Sequence, residues 1–243
     1  MKAQLLILIC ITCISTQIFG QITVSEVEKK LRMGESLEGM DLRNMDLRGL
    51  NLDGANLSKA RLNGADLRAA SIRRAHLHKA DLRGAKLDSV DFNATNLQDV
   101  RFPKGEISHL NLNRANLSNT DLRGTHFLKS SYKYADFQGA NLAGSRLGGT
   151  FFYANFSHAK LKNANLSNAD LRGVKFHQAD LQEANLSKAN LDGSEFYHAR
   201  MNKCDLSGVS IKGADFSKAI MEGVKLKEDE KLLARLKKQG GIL

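Results

Sequence analysis

A five-residue unit repeats almost without interruption from residue 35 to residue 226. Typical copies are Ala-Asn-Leu-Ser-Lys at 55–59, Ala-Asp-Leu-Arg-Gly at 80–84 and Ala-Asn-Leu-Ser-Asn at 164–168. A period of five fits neither the 3.6-residue turn of a helix nor the two-residue alternation of a strand. One copy is also too short to bury its own Leu or Phe, so the copies must stack on one another. We therefore expect the Leu or Phe, and the small residue two positions before it, to face inward.

The identity of the central residue indicates how many units form one coil. Every fourth central residue from Leu37 onward is first Leu and then Phe: Leu37, Leu57, Leu77, Leu97, Leu117, Phe137, Phe156, Phe176, Phe196 and Phe216. Such a column predicts a coil of four units, or 20 residues, with an internal ladder of stacked aromatic rings. A second column, Asp41, Arg61, Asp81, Arg101 and Asp121, alternates in charge at the same spacing. Opposite charges would then be neighbours in successive coils.

The spacing fails once, between Phe137 and Phe156, which are 19 residues apart. The segment Gly148 to Tyr153 contains the slip, and either Phe151 or Phe152 should face inward while the other faces outward. A second irregularity is expected at Pro103, which removes a backbone hydrogen-bond donor from its unit.

These units resemble the A-(D/N)-L-x-x consensus of the pentapeptide-repeat family. The resemblance implies an all-β solenoid, specifically a right-handed quadrilateral β-helix of about ten coils over residues 35–226. It also brings in the activity best known for the family, which is protection of type II topoisomerases by an acidic rod that resembles DNA.

The two ends of the chain differ from the repeat. Residues 1–20 have the pattern of a secretory signal peptide, with Lys2 before a short apolar core and Gly20 at its end. Cleavage there predicts a secreted or periplasmic protein without a stable membrane span. An uncleaved anchor or a buried N-terminal helix is the alternative.

Both ends of the rod are predicted to carry a capping helix. In the segment 21–34, a helix over 23–34 would have Ser25 as its N-cap with Glu28 three residues on. In the segment 227–243, a charged helix over 227–239 has Leu232, Leu233 and Leu236 on one face. A dimerisation helix is the other interpretation of the second segment.

The sequence contains no nucleophile motif, phosphate loop or metal motif of standard spacing. We therefore expect no enzyme activity, no cofactor, no metal and no small-molecule substrate. His158, His177 and His198 fall in successive coils and could bind a metal loosely or sense pH, although three solvated surface histidines are favoured. Cys204 occupies a small inward position, which favours a buried, unreactive thiol.

Aromatic residues and cations cluster near the slip. Tyr132, Lys133, Tyr134, Phe151 and Tyr153 form the candidate partner patch, with Arg114 nearby. The alternative, which we favour, is that these rings pack over the irregularity and cover it.

The charge of the chain bears on its function. The formal net charge is +10, and loss of Lys2 with the signal peptide would leave +9. A basic, exported rod does not match an acidic DNA mimic. The leading hypothesis is an exported, non-enzymatic scaffold that presents rod faces to a protein or polyanion partner, with a homodimer through a rod end as a possible assembly. The alternative is a DNA-mimic or nucleic-acid- or topoisomerase-interacting protein.

Overall fold

The computed structural model describes residues 22–227 and 230–241 of the chain. Parallel backbone bridges join residues 20 positions apart, such as Asp41 with Arg61 and Arg61 with Asp81. The chain therefore forms a β-solenoid with the predicted 20-residue coil. The predicted signal peptide, residues 1–20, lies outside the described residues.

Each unit is a short bridge followed by a tight turn. In the first coil the Met40 N–H donates to the Leu37 carbonyl at 3.2 Å, and Gly39 between them has φ of 68°. A positive φ at the third residue is typical of a type II turn. The Asn or Asp of the consensus stabilises the turn that follows it, because its side chain accepts a hydrogen bond from the backbone N–H two residues later. Asn165, for example, accepts from the Ser167 N–H at 3.0 Å.

Successive coils exchange hydrogen bonds at every unit. The Arg61 N–H donates to the Met40 carbonyl and the Leu42 N–H donates to the Arg61 carbonyl, both at 2.9 Å. The central residues and the small residues fill the interior, as the sequence predicts. The aromatic column is a ladder in which Phe137 and Phe156 stack at 4.5 Å and Phe196 and Phe216 at 4.6 Å.

Three parallel strands mark the two irregular regions of the rod. They are β1 (Gly105–Ser108), β2 (Thr125–Ser131) and β3 (Arg146–Thr150), in the order β1-β2-β3. The first begins just after Pro103, where an irregularity was predicted.

The missing residue lies between β2 and β3. Phe127 pairs with Leu147, but Ser130 pairs with Gly149, so β2 has one residue more than β3 between these two pairs. Gly149 has φ of 132°, and a Cβ there would meet the Ser130 carbonyl. Glycine is therefore required at this position. Phe151 is the inward residue after the slip, stacking on Tyr132 at 4.1 Å.

Two helices flank the coils. Helix α1 spans Val24–Arg32, and its N-cap is Thr23, which forms a capping box with Glu26. The prediction of Ser25 as N-cap is therefore wrong. Thr23 is the residue with an extended backbone, and its side chain accepts a hydrogen bond from the backbone N–H of Glu26. Val27 is fully buried.

Helix α2 spans Glu230–Lys238, shorter than the predicted 227–239. Its Leu232 and Leu236 are buried within the single chain. After the helix, the carbonyl of Gln239 accepts the N–H of Phe216 at 3.0 Å. Neither helix, nor any other in the described part of the chain, is long and apolar enough to cross a membrane.

The alternating charge column is present as predicted. Arg61 lies 3.6 Å from Asp41, and Arg101 lies 3.7 Å from Asp81. Each of these carboxylates also binds the arginine two residues later in its own unit, as Asp81 binds Arg83 at 2.6 Å. These hydrogen bonds hold the pKa of Asp81 at about 2. Many basic side chains of the repeat are thus neutralised locally.

Candidate functional site

The most exposed aromatic surface lies at one corner of the rod, beside the missing residue. We call it the aromatic corner and define it by the rings and the cations next to them: Tyr134, Phe152 and Tyr153 with Arg114, Lys133 and Arg172. Tyr134 and Tyr153 are 53% and 54% exposed, whereas most large apolar side chains of the described coils are buried. Exposed large rings of this kind are typical of recognition surfaces.

Two columns of outward side chains build the aromatic corner. Inter-coil hydrogen bonds join Arg114 to Lys133, Tyr134 to Phe152 and Tyr153 to Arg172, at 2.8–3.0 Å. The first column is Lys133, Phe152 and Arg172, and the second is Arg114, Tyr134 and Tyr153. Each column therefore places at least one cation next to a ring.

The rings contact one another along the rod axis. Tyr134 and Tyr153 stack with centroids 5.7 Å apart and planes 19° from parallel, and Phe152 meets Tyr153 edge-on at 4.3 Å. The Arg172 guanidinium lies over the Phe152 ring at 5.2 Å, a cation–π contact. The aromatic corner is therefore a packed cluster rather than a set of separate side chains.

Gly173 provides the surface on which the cluster rests. It follows Tyr153 in the second column, has φ of 66°, and a Cβ there would overlap the Tyr153 ring. A glycine is needed both for the left-handed backbone and for the space the ring occupies.

The cations of the aromatic corner differ in how they are held. Arg172 forms an ion pair with Asp170 at 2.8 Å, and its hydrogen bonds hold the pKa of that carboxyl below its usual range. Lys133 is exposed, and its backbone N–H donates to the Asn113 side chain at 2.8 Å. Arg114 is exposed as well. Asp192 in the next coil also interacts with Arg172, so with Asp170 and Asp192 counted the cluster carries an excess of one positive charge.

Two members of the predicted patch do not belong to this surface. Tyr132 and Phe151 are fully buried, because they are the central residues of their units and stack inside the rod. Lys133, Tyr134 and Tyr153 do face outward together. Tyr132 and Phe151 lie inside the core, whereas Tyr134 and Tyr153, which the favoured interpretation also packed over the irregularity, are exposed.

Sequence reasoning missed Arg172 and Gly173, and it placed Phe151 rather than Phe152 in the patch. A signal was available, since the 20-residue coil with one residue missing places Lys133, Phe152 and Arg172 in one column. The prediction left open whether Phe151 or Phe152 faces inward, and this choice decides which ring joins the corner.

A second polar cluster surrounds the histidines. His177 Nε2 lies 2.6 Å from Glu195 Oε2, and the Lys218 ammonium lies 3.2 Å from the Tyr197 hydroxyl. The three histidines His158, His177 and His198 are not gathered into a metal site: within residues 22–227 and 230–241, no group of three potential ligands could hold a metal ion.

Cys204 lies in the core, as predicted. It is fully buried, and its thiol donates to the Leu181 carbonyl at 2.7 Å. Burial raises the pKa of this thiol to about 12, so the reactive thiolate form is suppressed.

Several solved structures are similar to the chain. HetL, a pentapeptide repeat protein involved in heterocyst differentiation regulation in the cyanobacterium Nostoc, is 23% identical with a TM-score of 0.51, covering 86% of this chain and 98% of HetL. QnrB1, a plasmid-mediated fluoroquinolone resistance protein, is 19% identical with a TM-score of 0.48, covering 78% of this chain and 94% of QnrB1. A pentapeptide repeat protein from the Arabidopsis thaliana thylakoid lumen is 32% identical with a TM-score of 0.23, covering 53% of this chain and 75% of its own.

No curated protein sequence matches the chain. Family profiles do match: "Pentapeptide repeats" matches eight copies over residues 36–68, 150–187 and 189–227, and "Pentapeptide repeat region" matches residues 75–152. Together these matches cover most of the coils described above. The chain belongs to the pentapeptide-repeat family.

Proposed function

We propose that this protein is a non-enzymatic scaffold that binds an anionic partner through the aromatic corner. The observation that carries the proposal is the ring cluster of the exposed Tyr134 and Tyr153 with the half-buried Phe152, set among three cations and held on Gly173. Aromatic and arginine side chains that are packed yet exposed supply much of the binding energy at recognition surfaces. The excess positive charge selects partners of negative charge.

The test is binding of two generic polyanions, dextran sulfate and polyglutamate, measured by biolayer interferometry. The variant Arg114→Ser/Lys133→Ser removes two cations from the aromatic corner. The control variant Lys160→Ser/Lys188→Ser removes two exposed cations elsewhere, so both variants have the same net charge. We expect the corner variant to weaken binding about tenfold or more and the control to change it less than threefold. Equal losses in both variants would show that net charge, not the aromatic corner, drives binding.

The alternative function is a DNA mimic or a nucleic-acid- or topoisomerase-interacting protein. Acidic and basic side chains share each of the four sides of the rod; Asp41 and Arg61, for example, are neighbours in one column. A side of the rod that carried charges of only one sign would support the alternative. The mixture of signs instead favours binding at a local site over binding along a uniformly charged face. Duplex DNA is therefore a competing probe in the experiments below.

We propose a right-handed rod of about ten coils, with α1 and α2 covering its two ends. Burial of Leu232 and Leu236 by the chain itself supports a capping role for α2 over a dimerisation role. The carbonyl of Gln239 also takes the place that a further coil would occupy against Phe216.

Export is also part of the proposal. The support is the sequence pattern of residues 1–20. N-terminal sequencing of the natural protein tests it: a start at Gln21 in the periplasm or medium supports export, and an intact Met1 in the cytoplasm contradicts it.

A further inference from the structure

We infer that the partner of the aromatic corner is an acidic polysaccharide lying along the rod axis. This inference rests on the proposed function and specifies the chemistry of its ligand. Three features of the aromatic corner lead to it: the backbone hydrogen bonds between its coils, the stacking of its rings and the spacing of its cations along the rod axis.

The backbone N–H groups of the second column of the aromatic corner already bind the neighbouring coil. The N–H groups of Arg114, Tyr134 and Tyr153 donate to the coil that follows, at 2.8, 2.9 and 3.0 Å. A peptide that binds by adding a β-strand needs free backbone donors and acceptors at a sheet edge. The second column of the aromatic corner is paired between coils and is not a free sheet edge, so we expect its side chains to recognise the charges, hydroxyls and apolar surface of the ligand.

The rings are stacked along the rod, so several of their faces are occupied by neighbours within the cluster. Tyr153 lies between Tyr134 on one side and Gly173 on the other. Phe152 has the Arg172 guanidinium over its ring. A single-stranded nucleic acid binds by stacking its bases on exposed ring faces, and here both faces of Tyr153 and one face of Phe152 are occupied. Phenol hydroxyls beside cations instead suit a ligand rich in hydroxyls and acid groups.

The cations follow the axis at the pitch of the coils. Arg114 and Lys133 lie in adjacent coils, and Lys133 and Arg172 lie two coils apart. With coils about 4.8 Å apart, the axial spacings are roughly 5 Å and 10 Å. An extended glycan of acidic sugars carries a carboxylate on every sugar or every second sugar. The distance between its carboxylates is therefore similar to the distance between these cations. The charge of the aromatic corner and that of such a chain are therefore complementary along a line.

The test is isothermal titration calorimetry of the full chain with a linear oligogalacturonate of ten sugars. The matched neutral probe is the same oligomer with its carboxylates methyl-esterified. Polyglutamate and duplex DNA of equal charge number are the probes for the two other classes of polymer. The variants are Arg114→Ser/Lys133→Ser, the control Lys160→Ser/Lys188→Ser, and Tyr134→Ala/Tyr153→Ala, each checked for an unchanged circular dichroism spectrum.

We expect the oligogalacturonate to bind at least tenfold more tightly than its methyl ester, polyglutamate or DNA. The cation variant and the tyrosine variant should each weaken this binding about tenfold, and the control less than threefold. Equal binding of the methyl ester, or equal or tighter binding of polyglutamate or DNA, would overturn the inference.

The failures of the two proposals are distinguishable. If polyglutamate binds through the aromatic corner and neither oligogalacturonate nor dextran sulfate does, the proposed function stands and the polysaccharide inference is wrong. If no polyanion binds in a way that depends on the aromatic corner, both are wrong.

Discussion

Replacement of Tyr132 by Phe should stabilise the protein. The ring is fully buried and stacks on Phe151 at 4.1 Å, with planes 5° from parallel. Its hydroxyl is also buried and meets the distance and angle of a hydrogen bond with none of the described residues; the Ser130 hydroxyl is close enough only to offset part of the effect of burial on its pKa. Burial raises the pKa of this phenol above its usual range, so the group is neutral at physiological pH. The substitution removes one unsatisfied polar atom and keeps the ring.

The size of the effect follows from the cost of a buried, unpaired hydroxyl. That cost is about 1–3 kcal/mol, so we expect Tyr132→Phe to raise the free energy of unfolding by about 1–2 kcal/mol. For a protein of this length, each kcal/mol shifts the Tm by roughly 2–4 °C. The increase should therefore be measurable by thermal unfolding and by the urea midpoint, both followed by circular dichroism.

The matched control is Tyr134→Phe, whose hydroxyl is on an exposed ring and whose loss should change the Tm by less than about 1 °C. A lower Tm for Tyr132→Phe would refute the reasoning, because it would mean that the hydroxyl has a partner. The nearest candidate is Ser130, whose hydroxyl already accepts from the Leu110 N–H and donates to the Leu128 carbonyl. If Ser130 were the partner, the effect of Tyr132→Phe on stability would disappear in a Ser130→Ala background.

Three other predictions test the core, the aromatic corner and the charge pairs. Leu166→Asp places an unpaired carboxylate in the core and should cost more than about 4 kcal/mol of stability; an unchanged Tm would contradict the inward assignment. Gly173→Ala should cost about 1 kcal/mol through its positive φ and also displace the Tyr153 ring, weakening polyanion binding about fivefold. Gly193 has φ of 67° and open space where an added Cβ would lie, so Gly193→Ala should show the stability loss without the binding loss. The folded pKa of Asp81, about 2, is below its unfolded value, so its stabilising contribution is complete above about pH 5 and lost as pH falls from about 4 to 2. The stability difference between wild type and Asp81→Asn should shrink over that range, and a constant difference would contradict the assignment.

The repeat allowed most of the fold to be predicted from the sequence. The inward column ending in Phe216 and the alternating column beginning at Asp41 both appear as predicted. The reason is physical: a unit of five residues has few ways to bury one Leu or Phe, and copies of it can only stack.

The ends and the site were harder to predict because local rules compete there. Thr23 and Ser25 are both good N-cap residues, and Thr23 is the N-cap because its backbone is the one that is extended. At the slip, the repeat alone could not decide between Phe151 and Phe152. Pairing of Ser130 with Gly149 settles that choice, and it depends on a contact between coils.

The missing residue at Gly149 has a consequence for how such a rod can change over time. The coils before and after it keep the same columns, bridged at 20-residue spacing, so the loss is absorbed within a single corner. Outward positions on either side can therefore be exchanged while the buried ladder remains intact. A binding surface in this protein is separable from the framework that carries it, and a segment of one or a few coils should be transferable, with its specificity, to another rod of the same pitch.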